Sequence, residues 1–477
     1  MSPLWIRVLL LQTLICVVMV PIGRLFLGLR WRSACLAVVL TLPVPLFKVS
    51  PGTAGLVFSA DLVALVFLLM WAAGSLKWRL DCGRPPGFLT MMASAILVFL
   101  PIFSTLMGYL FYSDVPREIK FIALNTMRLI GYLIVFRSMM MKMQLEQHPD
   151  RFVILQCLTF VAVAACGLIQ YVFKVNLDLW YEIQGTDTSA VGFGGGFMGL
   201  YRGTVGAYSI GILAALTMLM PRVRLGLLLA SVSTIVIFGG MLAVGTRQGV
   251  VIGVFALCLS LSLSVSSLPP GHRVGTFFKS LGLVLLMGTL TAVLASVALP
   301  SAFREWVSMR FTGLETVGSV VDLAKSRDVT GMSAAFQNLV SHPMMMFFGM
   351  GEGTEWRTGS VFVVQVDSEF FNVWQIGGFP LLMAYFIFLV ALMVKLRHYR
   401  SLTDPANRVC VAAAFAVLAS SIPLLYGHFF LLNPNAANTP VGYWDWALFG
   451  GALGILTKPE YIEVSEAEYA MYAASAG

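Results

Sequence analysis

Stretches of about 20 apolar residues recur along most of the chain, with short polar segments between them. A helix of about 20 residues spans the hydrocarbon core of a bilayer, because it rises about 1.5 Å per residue. The candidate spans are 4–22, 34–48, 53–76, 88–112, 121–141, 152–173, 205–221, 225–245, 249–268, 280–299, 369–394, 409–431 and 444–456. The stretches 34–48 and 444–456 are shorter than the others. This pattern predicts an all-α bundle of about 12 to 13 transmembrane helices.

Composition supports the same class of protein. Of 477 residues, 58% are hydrophobic and 11% are charged, and the mean hydropathy is +0.85. A soluble domain has about 25% charged residues, so the sequence predicts a polytopic integral membrane protein. The first apolar stretch has no A-x-A-like cleavage site, and we interpret it as a retained helix. The formal charge of +8 does not require a nucleic-acid partner, because basic loops orient membrane proteins.

The basic residues indicate which loops face the cytoplasm. Eighteen of the 31 Lys and Arg residues fall on one side if the loop with Arg24, Arg30 and Arg32 is placed there. Cytoplasmic loops are enriched in Lys and Arg, so the large loop 301–368 is predicted on the opposite, periplasmic face. No cysteine lies in a predicted outer loop, and neither a disulfide framework nor a Cys-type metal site is expected.

The predicted spans and the large loop divide the chain into five segments. They are N-terminal transmembrane helices at 1–194, transmembrane helices with Arg202 and Arg247 at 195–300, the periplasmic loop at 301–368, C-terminal transmembrane helices at 369–456 and a cytoplasmic tail at 457–477.

Four arginines are predicted at or near the outer face. Arg202 precedes a helix start, Arg247 lies in a break between two helices, and the large loop holds Arg310 and Arg327. Guanidinium groups bind phosphate through two hydrogen bonds at once, so several of them at the membrane rim suit a lipid diphosphate. Any one of these arginines, taken alone, is better explained as an anchor for a helix end or a partner of anionic headgroups.

Four short motifs come in a specific order along the chain. They are Arg-Gly-Thr-Val at 202–205, Gly-Thr-Arg-Gln-Gly at 245–249, Ser-His-Pro followed by Gly-Met-Gly-Glu-Gly within 341–353, and Asp-Ser-Glu-Phe-Phe ending in Gly-Gly-Phe-Pro within 367–380. This order resembles the O-antigen ligase and O-antigen polymerase (Wzy-type) superfamily of bacterial membrane glycosyltransferases. The resemblance covers about residues 195–385 and implies a GT-C-like helical fold.

The resemblance also implies a reaction and its partners. It implies an inverting, metal-independent glycosyltransferase without a cofactor, in the bacterial inner membrane, whose donor is an oligosaccharide on undecaprenyl diphosphate. Arg202 and Arg247 would hold the diphosphate, with Arg310 or Arg327 helping from the loop. Since a diphosphate is already a good leaving group, preorganised Arg donors suit the developing charge. Membrane lipid, a chain-length regulator and a flippase are the other implied partners.

The reaction also needs a group that accepts the proton of the acceptor hydroxyl. Where ligases of this superfamily carry His, this chain has Asp367, which suits a general base in a tuned environment. Asp367 also suits the N-cap of the helix that follows. His342 is a second catalytic candidate, although its place before Pro343 favours a helix-ending role.

Three functions remain open from the sequence. A polymerase would move the growing glycan to the next lipid-linked repeat unit, and Asp367 in place of His favours it. A ligase of the same fold would move finished polymer to lipid A-core or another acceptor. A lipid-glycan transporter or flippase would carry internal repeats and midplane charges, but here only Asp61 and Arg128 lie deep in spans, and we interpret them as an ion pair.

Overall fold

Most of the apolar stretches in the described part of the chain form helices. The structure, a computed structural model, describes residues 3–42, 45–48, 56–58, 87–113, 119–173, 203–219, 224–244, 247–266, 270–298, 329–352, 368–422, 425, 431–432 and 441–458. The helices are α1 (Pro3–Leu25), α2 (Trp31–Thr41), α3 (Phe88–Phe111), α4 (Ile119–Leu145), α5 (Pro149–Phe173), α6 (Gly203–Leu219), α7 (Arg224–Val244), α8 (Arg247–Val265), α9 (Pro270–Ala298), α10 (Val329–Ser341), α11 (Pro343–Phe348), α12 (Glu369–Leu396), α13 (Pro405–Ser421) and α14 (Val441–Leu456).

Four helices in the described ranges are long and apolar enough to cross a membrane. They are Phe88–Phe111, Ile122–Leu145, Pro149–Cys166 and Glu369–Ser401, the last including the 3-10 turn that follows α12. Six further apolar helices in these ranges have 10–17 residues. A helical protein with several membrane-spanning helices is therefore consistent with the structure, and the number of 12 to 13 spans stays a prediction.

Two predicted spans differ from the structure near the N-terminal end. Instead of a span over 34–48, α2 ends at Thr41 and a strand, β1 (Pro45–Lys48), follows. β1 pairs in antiparallel fashion with β2 (Leu56–Phe58), inside the predicted span 53–76, most of which lies outside the described residues. Pro43 and Pro45 explain the early helix end, because proline lacks an N–H and disfavours helical backbone in the preceding residue. The hairpin is a local exception in a part of the chain that is otherwise described as helices, so the predicted helical fold class is confirmed.

Two other helices are shaped by proline. A π-helical turn, Ala95–Phe99, lies inside α3, where Pro101 has no N–H to donate to the carbonyl of Leu97. α13 ends at Ser421, two residues before Pro423, and so stops short of the predicted span end at 431. Its start is capped by Asp404, whose carboxylate accepts the Asn407 N–H at 3.0 Å.

α14 packs closely on α4 in the core of the bundle. A Cβ atom at Gly450 would lie 2.2 Å from the carbonyl oxygen of Phe136, so only glycine allows this approach. The ring of Phe136 meets Trp446 edge to face, with ring centroids 5.4 Å apart. The indole N–H of Trp446 donates to the Leu431 carbonyl at 3.2 Å, which ties the segment before α14 to the core.

Basic residues at the end of α4 and the start of α5 form hydrogen bonds and an ion pair with neighbouring segments. Lys142 Nζ lies 2.8 Å from a Glu146 carboxylate oxygen, which also accepts the Ser33 hydroxyl at 2.9 Å. The Arg151 guanidinium donates to the Leu27 carbonyl at 3.2 Å. These contacts join α1, α2, α4 and α5 at the end that the sequence predicts to be cytoplasmic.

Candidate functional site

Two of the four motifs pack directly against each other. The segment Gly349–Glu352, which follows α11, lies against a break in α12. The Met350 N–H donates to the Gln375 carbonyl at 2.8 Å, and the Gly351 N–H donates to the Ile376 carbonyl at 2.9 Å. Residues far apart in sequence thus form one unit, which we call the glycine junction (349–352 with 375–378).

The break in α12 explains why its carbonyls are free to accept these bonds. Gly378 has φ +66° and lies outside the helical region, a conformation that favours glycine. Pro380 has no N–H and so leaves the carbonyl of Ile376, four residues earlier, without its usual helical donor. Gly351 supplies the missing donor from another part of the chain.

α3 also packs against the glycine junction and forms hydrogen bonds with both of its segments. The Ser104 hydroxyl donates to the Gly377 carbonyl at 3.2 Å, and the Glu352 N–H donates to the Thr105 hydroxyl at 3.0 Å. Gly351 has φ +76°, and a Cβ atom there would lie 2.3 Å from the Thr105 Cα atom. A side chain at position 351 is therefore excluded both by backbone conformation and by contact.

Glu352 brings a carboxyl group into this buried junction. Its side chain is 5% exposed, and the Asn125 amide of α4 donates to it at 2.8 Å. Burial raises the pKa of Glu352 to about 7, although the Asn125 hydrogen bond acts in the opposite direction. The carboxyl is therefore poised to take up or release a proton near neutral pH.

Glu352 also lines a small cavity between α3, α4 and α12. The cavity has a volume of about 30 Å³, which is room for about one or two water molecules. Among the described residues that line it, Glu352 is the one with a charged side chain; the others are Ile96, Pro101, Leu129, Val373, Ile376, Leu381 and Leu432. A water molecule there would depend on the carboxyl for its hydrogen bonds.

Glu369, in the fourth motif, has a different environment. Its carboxylate accepts the N–H groups of Leu431 and Leu432 at 2.9 and 2.7 Å, and also the Tyr385 hydroxyl. These bonds give a fully buried carboxyl group three hydrogen-bond donors and fasten the segment before α14 to α12. The arrangement indicates a structural role for Glu369.

Asp367 lies outside the described residues, and the structure shows the helix start that follows it. The N-cap of α12 is Ser368, whose hydroxyl accepts the Phe371 N–H at 3.5 Å. The alternative that Asp367 caps this helix is therefore wrong, because the cap position belongs to the next residue. Its role as general base stays a prediction.

His342 lies at the junction of α10 and α11. Its Nδ1 atom is 3.0 Å from the Asn338 carbonyl oxygen, and its ring meets Tyr112 edge to face. A carbonyl oxygen only accepts, so a hydrogen bond between these two atoms requires the proton on Nδ1. The residue closes α10 just before Pro343, in line with the helix-ending interpretation.

Arg247 lies at the same end of the bundle as the glycine junction. α5 and α7 meet near their C-terminal ends, since a Cβ atom at Gly239 would lie 3.2 Å from Leu168. α8 begins with Arg247, three residues after α7 ends, and α5 ends on the side where α3 ends.

Arg202 immediately precedes α6, and it lies outside the described residues together with Arg310, Arg327 and Asp61. Arg128 is buried in α4, and its pairing with Asp61 stays a prediction.

No protein-family model matches this chain, and no curated protein matches it either.

Glu352 is not among the candidate residues predicted from the sequence, although the sequence contains a signal for it. Glu352 is the one Asp, Glu, Lys or Arg in residues 329–354, and it sits between two glycines. Its burial depends on contacts from α3 and α4, which lie more than 200 residues earlier and which spacing alone does not reveal.

Proposed function

We propose that this protein is a polysaccharide polymerase of the inner membrane that acts on its periplasmic face. It would transfer the growing glycan from undecaprenyl diphosphate to the next lipid-linked repeat unit. The observation that supports this proposal best is the glycine junction. Two motifs on which the resemblance rests form a single buried unit there, held by backbone hydrogen bonds of 2.8 and 2.9 Å.

The proposed reaction assigns a role to each candidate residue. A hydroxyl of the acceptor sugar attacks the anomeric carbon of the donor, and the bond from that carbon to the diphosphate breaks. Arg202 and Arg247, with Arg310 or Arg327, would stabilise the departing diphosphate. Asp367 or His342 would accept the hydroxyl proton.

The test compares three strains, each of which carries one version of the gene for this protein: wild type, Arg247→Ala or Arg397→Ala. A fourth strain lacks the gene. Arg397 is exposed after α12, at the opposite end, and is the matched control. Surface and lipid-linked glycans are separated on gels. Loss of the long-chain ladder in Arg247→Ala, with single repeat units still attached to their final acceptor, supports the polymerase.

Other outcomes contradict the proposal in distinct ways. Long polymer stranded on the lipid carrier, without attachment, means that the protein is a ligase. A ladder that is unchanged in Arg247→Ala and lost only in the deletion refutes the diphosphate role of Arg247 and favours a transporter.

A further inference from the structure

A segment of 20 residues before the glycine junction has an unusual composition. Residues 329–348 contain no Asp, Glu, Lys or Arg, although they belong to a loop that the sequence predicts to be polar and periplasmic. They form α10 and α11, two short helices joined at His342. A surface in water would ordinarily carry charge over such a length.

One face of this segment is fixed to the bundle. Ala335, Leu339 and Met345 are buried in a cluster with Met350 and Phe371. Hydrogen bonds add to this packing. The indole N–H of Trp374 in α12 donates to the Met346 carbonyl, and the Met345 N–H donates to the Tyr112 hydroxyl, each at 3.0 Å.

The opposite face is exposed and largely apolar. Phe336, Val340, Met344 and Phe347 are between 45% and 54% exposed. On α10 the exposed polar residues Gln337 and Ser341 lie beside Phe336 and Val340 on the helix surface. An apolar stripe with a polar edge is typical of a helix that lies in a membrane interface.

This apolar stripe continues into the lipid-facing side of α12. The carbonyl of Phe347 lies against Gly378, since a Cβ atom there would be 2.4 Å away. The next residue, Phe379, is exposed, and so are Met383 and Ile387 further along α12. α12 is one of the helices long and apolar enough to span a membrane, so its exposed apolar side and the stripe beside it form one surface suited to contact with lipid.

The length of α12 gives the depth of this surface. Lys395 ends the apolar part of α12, and 16 residues separate Gly378 from Val394. This distance corresponds to a rise of about 24 Å, and the hydrocarbon core is about 30 Å thick. Gly378 and the adjoining Phe347 therefore lie about 6 Å inside the far boundary, and any tilt of α12 places them deeper.

We infer that residues 329–348 form an interfacial element embedded in one leaflet, with Phe336, Val340, Met344 and Phe347 against the acyl chains of bilayer lipids. Gln337 and Ser341 face the headgroups. The element anchors the glycine junction at a set depth below the membrane surface. This inference is independent of the proposed function, because it rests only on exposure, composition and depth.

The test uses the full-length wild-type protein in vesicles of phosphatidylcholine and phosphatidylglycerol. A phosphatidylcholine with a diazirine on its acyl chain is activated by light, and the adducts are located by peptide mass spectrometry. We expect adducts on Met344 and Phe347 as on Met383, and none on Arg397. Adducts on Met383 without any in 336–347 overturn the inference.

Two further measurements separate lipid from other occupants. The labelling is repeated from one chain per vesicle to high protein density, and we expect adducts on Met344 throughout. Adducts that disappear at high density show that a second copy of the chain covers the surface, which contradicts the inference. Phe336→Asp should lower labelling of Met344, whereas the matched control Gln337→Asp should leave it unchanged; equal effects would argue against the proposed orientation.

Discussion

Replacing Glu352 by glutamine removes a titrating group from the glycine junction while keeping its shape. The folded protein raises the pKa of Glu352 from an ordinary 4.5 to about 7 through burial. The folded state favours the protonated carboxyl of Glu352. The stabilisation that this preference gives to the folded protein is therefore complete below about pH 4.5. It is lost as the pH rises through about 7. The difference corresponds to about 3 kcal/mol, since one pKa unit is about 1.4 kcal/mol.

The assay is the midpoint of thermal unfolding of the purified protein in detergent, measured from pH 5 to pH 8.5. We expect the wild-type midpoint to fall over this range relative to that of Glu352→Gln, whose side chain stays neutral. Glu352→Asp is the control, because it keeps a carboxyl group at the cavity and should keep the pH dependence. Parallel curves for wild type and Glu352→Gln would refute the assignment of a buried, proton-binding carboxyl.

Two other substitutions test the packing at this end of the bundle. Gly351→Ala should lower stability by about 2 kcal/mol or more, because a Cβ atom would collide with Thr105, whereas Gly282→Ala in α9 has open space and should be neutral or stabilising. Equal unfolding midpoints for both would contradict the close approach. Glu369→Ala should cost about 3 kcal/mol or more and expose the segment before α14 to protease, with Tyr385→Phe milder since it removes one bond. Unchanged proteolysis in Glu369→Ala would show that the carboxylate does not hold that segment.

The helices were the part of the fold most accessible from the sequence. The apolar stretch 88–112 predicted α3, and 369–394 predicted α12, within two residues at each end. The hairpin Pro45–Lys48 with Leu56–Phe58 was missed, because apolar runs of moderate length do not distinguish a strand from a helix. The break at Gly378 was visible only as a Gly-Gly-Phe-Pro motif, with no indication of its partner.

Less of the candidate site than of the fold could be predicted from the sequence. The motifs 341–353 and 367–380 were selected from the sequence, and the structure brings them together. The loop 301–368 was predicted on the periplasmic face, and within it residues 329–348 pack on the bundle with an apolar outer face. Hydropathy averaged over a loop hides such a segment, because its helices are shorter than a span and its neighbours are charged.

The break in α12 explains why these features occur at one place. A helix that loses a donor at Pro380 must find another for the Ile376 carbonyl, and in a membrane protein this donor comes from the protein itself. Gly351 supplies it, and this contact draws the following residue, Glu352, between α3 and α4. The same contact places α11 beside Gly378, at the depth where its apolar face meets lipid. A backbone requirement in one helix thus sets the position of both the buried carboxyl and the interfacial element.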